Sequence, residues 1–207
     1  MPAGDILRSF AAPGTLPHNI AWDGRTLWLI DEVNVAIYQL DPLSGAVLRS
    51  FPIPDDLPDG LAWDGRSLWM TGNHTHKVYQ LDPLTGAVLR SFACPTNAVN
   101  ALAWDGRSLW VHDVNLFRVS QIDPLTGAVL RSYTYNWGEL WALTWDGRAF
   151  WGMDQDFSRL VLFDPLTGAE LRSFAGPEFY GQGVAWDGRA LWHADADTLL
   201  VYQLAVA

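Results

Sequence analysis

Residues 58–69, Pro58-Asp59-Gly60-Leu61-Ala62-Trp63-Asp64-Gly65-Arg66-Ser67-Leu68-Trp69, set two short apolar runs either side of Asp64-Gly65. Both loop residues tolerate φ > 0, so an Asp-Gly pair between apolar runs predicts a two-residue hairpin of type I′, with Arg66 opening the returning strand. Further out come a polar stretch and a third run, Lys77-Val78-Tyr79-Gln80-Leu81. The turn Asp82-Pro83-Leu84-Thr85-Gly86 and a fourth run, Ala87-Val88-Leu89-Arg90-Ser91-Phe92, complete the stretch. In that turn proline presets φ and glycine supplies a left-handed position, which closes a longer hairpin. The four runs are too short for ordinary helices, and Pro or Gly interrupts any period of 3.6.

The unit recurs. Trp-Asp-Gly-Arg begins at Trp22, Trp63, Trp104, Trp145 and Trp186, each 41 residues after the last, and five units account for 205 of the 207 residues. Four antiparallel strands in a repeat of roughly 40 residues make one blade of a β-propeller. The sequence therefore predicts an all-β protein, a five-bladed β-propeller forming one domain over residues 1–207. The fifth unit stops at Val201-Tyr202-Gln203-Leu204 without its outer strand, while Gly4 to Phe10 matches Gly45 to Phe51 at the same offset. Residues 1–10 are thus expected to complete the fifth blade and close the ring. An open solenoid would carry polar capping repeats instead, and the sequence has none.

Composition agrees with a packed globular protein: 49% of residues are hydrophobic and 12 are tryptophan. No apolar run approaches the roughly 20 residues of a membrane-spanning helix. The opening Met1-Pro2-Ala3-Gly4-Asp5 lacks the features of a signal peptide, which predicts a cytoplasmic protein. Cys94 stands alone, so no intrachain disulfide forms, and it reads as a small hydrophobe. Ten tryptophans fall in two columns, Trp22 with its repeats and Trp28 with its repeats. A tryptophan buries roughly 150–250 Å², so these read as framework.

Comparing the units divides the molecule. The Asp-Gly and Asp-Pro-Leu-Thr/Ser-Gly turns repeat, whereas the connections between blades and those between second and third strands vary. Strand reversal puts the two constant turns on one face and the two variable connections on the other. Function is expected on varied loops held by a rigid scaffold. The variable connections carry twelve acidic and three basic residues, a charge of −9 against −10 for the whole chain. Such a face attracts cations and repels phosphate, so neither nucleic acid nor anionic membrane is an expected partner. Solubility alone is the competing explanation of the charge.

Four positions before each Trp-Asp box stand His18, Asp59, Asn100, Trp141 and Gln182, all different and all able to hydrogen-bond. They are placed at the start of the innermost strand, around the mouth of the central channel, and form the first candidate ligand pocket. A second column reads Asp31, Gly72, Asp113, Asp154, Asp195. Its carboxylates could collect a hard cation such as Ca²⁺, but their recurrence fits Asx-type turns holding their own loops better. His74 and His76 could bind Zn²⁺, although no third ligand is fixed, and ordinary loop histidines suit the pattern better. Asp113, Asp154 and Asp195 remain with them as metal candidates of the second rank. The fourth unit departs most from the rest: Tyr135, Trp137 and Glu139 precede Trp141, and Phe179-Tyr180 follows in the next connection. Rings beside carboxylates suit a cationic or sugar-like small ligand, or the rings fill a gap between blades.

The run Pro58-Asp59-Gly60-Leu61-Ala62-Trp63-Asp64-Gly65 and the recurring Tyr-Gln-Leu-Asp-Pro-Leu-Thr-Gly-Ala-Val-Leu resemble the bacterial and plant glutamine cyclotransferases, and NHL and YVTN-type propeller repeats look similar. The resemblance implies a five-bladed fold and an enzyme that forms pyroglutamate from N-terminal glutamine. It also implies a catalytic glutamate just after the second strand, where this chain has Leu68-Trp69-Met70-Thr71-Gly72 and no carboxylate. Asp113 or Asp195 is the substitute base open to such an enzyme. The residues supply no Ser-His-Asp order, phosphate loop or firm metal motif, and no cofactor is expected. The leading expectation is a monomeric, non-enzymatic binding propeller for a small molecule or peptide, cationic ligands included. A cyclotransferase-like enzyme and an amplified or engineered scaffold without a selected ligand are the alternatives.

Overall fold

The computed structural model describes residues 1–177 and 180–207, and these contain strands and turns without a helix. Twenty strands form five four-stranded antiparallel sheets. Blade 1 holds β2 (Pro17–Trp22), β3 (Leu27–Asp31), β4 (Ala36–Leu40) and β5 (Val47–Pro52). Blade 2 holds β6 (Pro58–Trp63), β7 (Leu68–Gly72), β8 (Lys77–Leu81) and β9 (Val88–Ala93). Blade 3 runs through β10 (Val99–Trp104), β11 (Leu109–Asp113), β12 (Arg118–Ile122) and β13 (Val129–Thr134). Blade 4 runs through β14 (Leu140–Trp145), β15 (Phe150–Asp154), β16 (Arg159–Phe163) and β17 (Glu170–Ala175). Blade 5 takes β18 (Gly181–Trp186), β19 (Leu191–Asp195) and β20 (Leu200–Leu204), and β1 (Ile6–Ala11) pairs with β20 as its outer strand. The inner strands β2, β6, β10, β14 and β18 touch in cyclic order, so the ring is closed around an axis.

The Trp-Asp-Gly-Arg box earns its recurrence through its aspartate. Asp64 Oδ1 accepts the amides of Arg66 and Ser67 at 2.7 and 2.6 Å, while Oδ2 accepts the indole N–H of Trp69 at 2.7 Å. Blades 1, 3 and 5 repeat the indole bond at 2.7–2.9 Å. In blade 4 the Trp151 Nε1 has no such partner. The turn differs from the expected type I′. Only Gly65 takes a left-handed φ, +95°, and Asp64 N–H donates to Ser67 O, so the returning strand starts at Leu68. A type I′ turn needs φ > 0 at both central residues, and here the Ser67 amide goes to the Asp64 side chain instead. An aspartate that caps the turn must flank it, which removes it from the central positions.

The second turn follows the expectation: Asp82 Oδ1 accepts Leu84 N, Thr85 N and Thr85 Oγ1, and Gly86 sits at φ +74°. That glycine has a second reason to lack a side chain, because a Cβ there would overlap the ring of Phe51 from the preceding blade. Phe51 in turn lies 6.0 Å from the Trp28 ring. Trp28, Ile30, Ile37 and Phe51 of blade 1 pack against Leu61, Leu68 and Met70 of blade 2 in one buried cluster. The core is thus a set of seams between blades, and the Trp28 column is buried in them.

Candidate functional site

Every inner strand shifts register against its neighbour at the same place. The shifts fall between Pro17 and Ile20, Pro58 and Leu61, Val99 and Ala101, Leu140 and Ala142, and Gly181 and Gly183. A bulge re-aims the side chain it displaces. The five positions within these shifts include His18, Asp59, Asn100, Trp141 and Gln182, the ring read from the sequence. Their side chains are less open than a channel mouth suggests: all are buried except Trp141, which is half-buried.

Between blades 1 and 2, His18 Nε2 lies 3.7 Å from Asp59 Oδ1 and 4.0 Å from a Glu32 oxygen. Asn73 Nδ2 donates to the other Asp59 oxygen. Burial, followed by the charges of Glu32 and Asp55, pushes the Asp59 carboxyl up to about 8. Burial holds His18 down to about 4, against a smaller raising contact with the Asp59 backbone. Glu32 is also raised, by burial and then by Asp31. At neutral pH the proton therefore resides on Asp59, and the two groups face each other uncharged at a separation too long for a hydrogen bond.

On blade 3, Asn100 Nδ2 donates to Leu140 O of the next blade at 2.8 Å, which leaves its Oδ1 as an acceptor. His112 Nδ1 is 2.6 Å from that oxygen and must carry the hydrogen. His112 Nε2 is then bare and accepts from the Tyr135 hydroxyl at 2.6 Å. Burial holds His112 down to about 3, with the Asp113 charge opposing it weakly. The tautomer is fixed from both ends. On blades 1, 4 and 5, His18 Nδ1, Trp141 Nε1 and Gln182 Oε1 are buried without a hydrogen-bond partner.

The aspartate column turns away from the ring. Asp31 Oδ2 accepts Thr15 N and Leu16 N, and its Oδ1 accepts Asn34 N. Asp113 holds Leu116 N and Thr96 Oγ1; Asp195 Oδ1 holds Asp197 N, Thr198 N and Thr198 Oγ1. Asp154 takes Arg159 Nε at 2.8 Å. Asp31, Asp113 and Asp195 therefore each tie their own loop through an Asx-type bond, Asp31 and Asp113 also reach the preceding connection, and Asp154 instead pairs with Arg159 while its Oδ1 is buried without a partner. Among the described residues no three His, Cys, Asp or Glu side chains form a group able to hold a metal ion. His74 and His76 are exposed, and His74 pairs with Asp56, which raises its pKa.

Blade 2 shows what sequence reading missed. Gly72 breaks the column, and Asp55 from the preceding connection fills its place: a Cβ on Gly72 would overlap the Asp55 carboxylate. Asp55 accepts Leu57 N, His74 N, Thr75 N and Thr75 Oγ1 at 3.0, 3.3, 3.0 and 2.6 Å. In blade 1 the arrangement is reversed, with Gly14 over Asp31. The available hint was that the one blade lacking the column aspartate has an acid where blade 1 has glycine.

In the divergent fourth unit, Trp137 donates Nε1 to Gly168 O at 2.8 Å and packs 5.2 Å from Phe163 and 4.6 Å from Tyr135, so it fills the seam between blades 3 and 4. Tyr135 is buried beside it and also lines a surface cavity of about 410 Å³ with Leu116, Phe117, Asn136, Gly138 and Asp156. Glu139 is half-buried. Glu178 and Phe179 lie outside the described residues. Within the channel, toward the constant face, the Trp22 column and Thr144 line a cavity of about 90 Å³.

The loops between second and third strands are varied in side chain and uniform in backbone. Val35, His76, Phe117, Ser158 and Leu199, one per blade, all take φ between +47° and +57° just before the third strand. Five loops of one shape thus present five different sets of side chains.

These features define a five-bladed propeller carrying a bulged polar ring on one face. The glutaminyl cyclase of Myxococcus xanthus superposes with a TM-score of 0.83 at 14% identity, covering 98% of this chain and 97% of that one. Virginiamycin B lyase of Staphylococcus aureus gives 0.54 at 15% identity, covering 92% of this chain and 66% of that one. The WD40 β-propeller domain of Doa1 gives 0.60 at 11% identity, covering 91% and 63%. No protein-family model matches the chain, and no curated protein matches it. At these identities the likeness is one of fold, and the chemistry has to be argued from the site.

Proposed function

We propose that this protein is a non-enzymatic binding propeller that takes a small molecule or peptide at the bulged ring. One observation carries the reading: five inner strands bulge at the same place and present five different hydrogen-bonding side chains, three of which keep buried polar atoms unpartnered. A buried donor or acceptor left unmade costs about 1–3 kcal/mol, and a ligand that satisfies it recovers that cost. The ring is uncharged at neutral pH because Asp59 is protonated and His18 is not. The acidic rim around it favours a cationic ligand on approach, and Trp141 offers a ring to pack on.

Calorimetry and tryptophan fluorescence against sugars, amines, peptides and divalent metals, repeated on Trp141→Ala and Gln182→Ala, test this reading. Binding that weakens at least tenfold in the variants supports it; equal responses from all three proteins remove the ring from consideration.

A second reading is favoured by Asp59 and His18, which face each other as a neutral acid and a neutral base. In an enzyme forming pyroglutamate, the α-amine nitrogen would bond to the side-chain carbonyl carbon as its amide nitrogen leaves; His18 would take the proton from the attacking amine and Asp59 would give one to the leaving nitrogen, which departs as ammonia. The carboxylate over Gly72, Asp55, is committed to four loop hydrogen bonds and is no free base. Incubation with a Gln-initiated peptide, followed by mass spectrometry for loss of ammonia, decides between the two readings.

A further inference from the structure

The connection from blade 3 to blade 4 departs from the repeat at two adjacent positions. Pro13, Pro54, Pro95 and Pro177 occupy one position of the other four connections, and Asn136 replaces them here. The residue before it is Ala12, Ile53, Cys94 or Gly176 elsewhere and Tyr135 in this connection. Both departures face one space. Tyr135 and Asn136 line the cavity of about 410 Å³ between blades 3 and 4, together with Leu116, Phe117, Gly138 and Asp156. That volume falls within the roughly 300–1,000 Å³ of small-molecule sites, and none of the five ring residues lines it.

The apolar wall is held in place before any ligand arrives. The Tyr135 hydroxyl donates to His112 Nε2 at 2.6 Å, and its ring lies 4.6 Å from Trp137. Phe117 meets Tyr135 edge to face, 6.1 Å between centroids at 75°. Phe117 and Leu116 remain 41% and 51% exposed, so their outer surfaces have no protein cover. Gly138 takes φ +48°, and a Cβ there would overlap the Asp154 carboxylate, so no side chain projects from it into the cavity.

Charge selects the ligand. The arginines that open β12 and β16 are already engaged: Arg118 lies 3.6 Å from Asp113, and Arg159 lies 2.8 and 2.9 Å from Asp154 and Glu170. Asp156 has no hydrogen bond or ion pair among the described residues, and its charge at the cavity is uncompensated. An unpaired carboxylate beside an aromatic ring and a leucine is complementary to an ammonium group carried on an apolar body. The same charge, on a face at −9, repels phosphates and carboxylates. We infer that this cavity is a second binding site, separate from the bulged ring, for a small organic ammonium ion whose body packs on Phe117 and Leu116 and whose charge meets Asp156.

Amide chemical shifts of isotope-labelled protein, titrated to about 20 mM with benzylamine or its neutral isostere benzyl alcohol, test the inference. Benzylamine should give saturable shifts at the Leu116, Phe117, Asn136 and Gly138 amides, and benzyl alcohol should bind at least about fivefold more weakly. Phe117→Ala should weaken the amine at least about fivefold, and Asp156→Asn should bring amine and alcohol level. Both side chains are exposed, so the circular dichroism spectrum should not change. Trp141→Ala and Gln182→Ala should leave the cavity shifts intact. The absence of saturable shifts at these four amides overturns the inference, and so does amine binding there that neither Phe117→Ala nor Asp156→Asn weakens. Amine shifts confined to the ring and lost in Trp141→Ala would uphold the ring and overturn the cavity site; shifts at the cavity with an unresponsive ring would do the reverse.

Discussion

Exchanging the Asp55 and Gly72 side chains should reveal a strong coupling between the two positions. Asp55 is buried and accepts three amides and one hydroxyl. Asp55→Gly leaves those donors in a partly buried loop, at a cost of about 2–4 kcal/mol. Gly72→Asp alone places a Cβ and a second carboxylate inside the space Asp55 occupies, at a cost of about 3 kcal/mol or more. The double variant rebuilds in blade 2 what blade 1 already has. Its new aspartate stands where Asp31 accepts Thr15, Leu16 and Asn34 amides, and glycine at 55 is free to adopt the φ of +89° seen at Gly14. Thr75 would then be held as Asp195 holds Thr198. The double variant should unfold within about 1 kcal/mol of wild type, so the interaction energy is roughly 4 kcal/mol or more in favour of the pair. Equilibrium denaturation followed by tryptophan fluorescence measures all four corners of the cycle. If the two single costs simply add, the claim that these side chains share one role in one space is wrong.

Stability should peak near pH 6.5. His18 and His193 are held down to about 4 and His112 to about 3 by burial, so the folded state binds fewer protons than the unfolded state below 6.5 and stability is lost there as pH falls. Asp59, raised to about 8, acts oppositely: its contribution is full below an unfolded carboxyl pKa of about 3.9 and is lost as pH rises to 8. Asp59→Asn should therefore abolish the decline between pH 6.5 and 8 in a melting-temperature series, while leaving the acid limb. Leu199→Asn relieves a left-handed leucine at φ +57° and should stabilise by about 1 kcal/mol, a rise of about 2–4 °C in Tm by calorimetry. Tyr135→Phe deletes the donor to His112 Nε2 in a buried site and should cost about 1–2 kcal/mol in denaturant titration. A neutral result there would sever the Asn100–His112–Tyr135 chain.

Part of the site was legible because repetition can be compared with itself. His18, Asp59, Asn100, Trp141 and Gln182 stood out as five different residues at one position of a strict period, and the five bulges lie at that position. The loop-holding bonds of Asp31, Asp113 and Asp195 to the residues just after them were readable because Asx turns are local, whereas the reach of Asp31 to Thr15 and of Asp113 to Thr96 was not. Trp137 was not readable: whether its ring meets ligand or seam depends on Phe163 and Gly168 of another hairpin. The Asp55 substitution for Gly72 was equally hidden, since the two residues belong to different connections.

The sequence by itself determined the blade, the number of blades and the division into a constant and a varied face. Those follow from turn chemistry and hydrophobic alternation within 41 residues, and identical units have to fold alike. Only the tertiary structure decided the protonation of Asp59 and His18, the tautomer of His112 and the cavity that Phe117, Tyr135 and Asp156 share. Burial, charge proximity and solvent exposure are properties of neighbours brought together around the ring, and the local chain does not encode them.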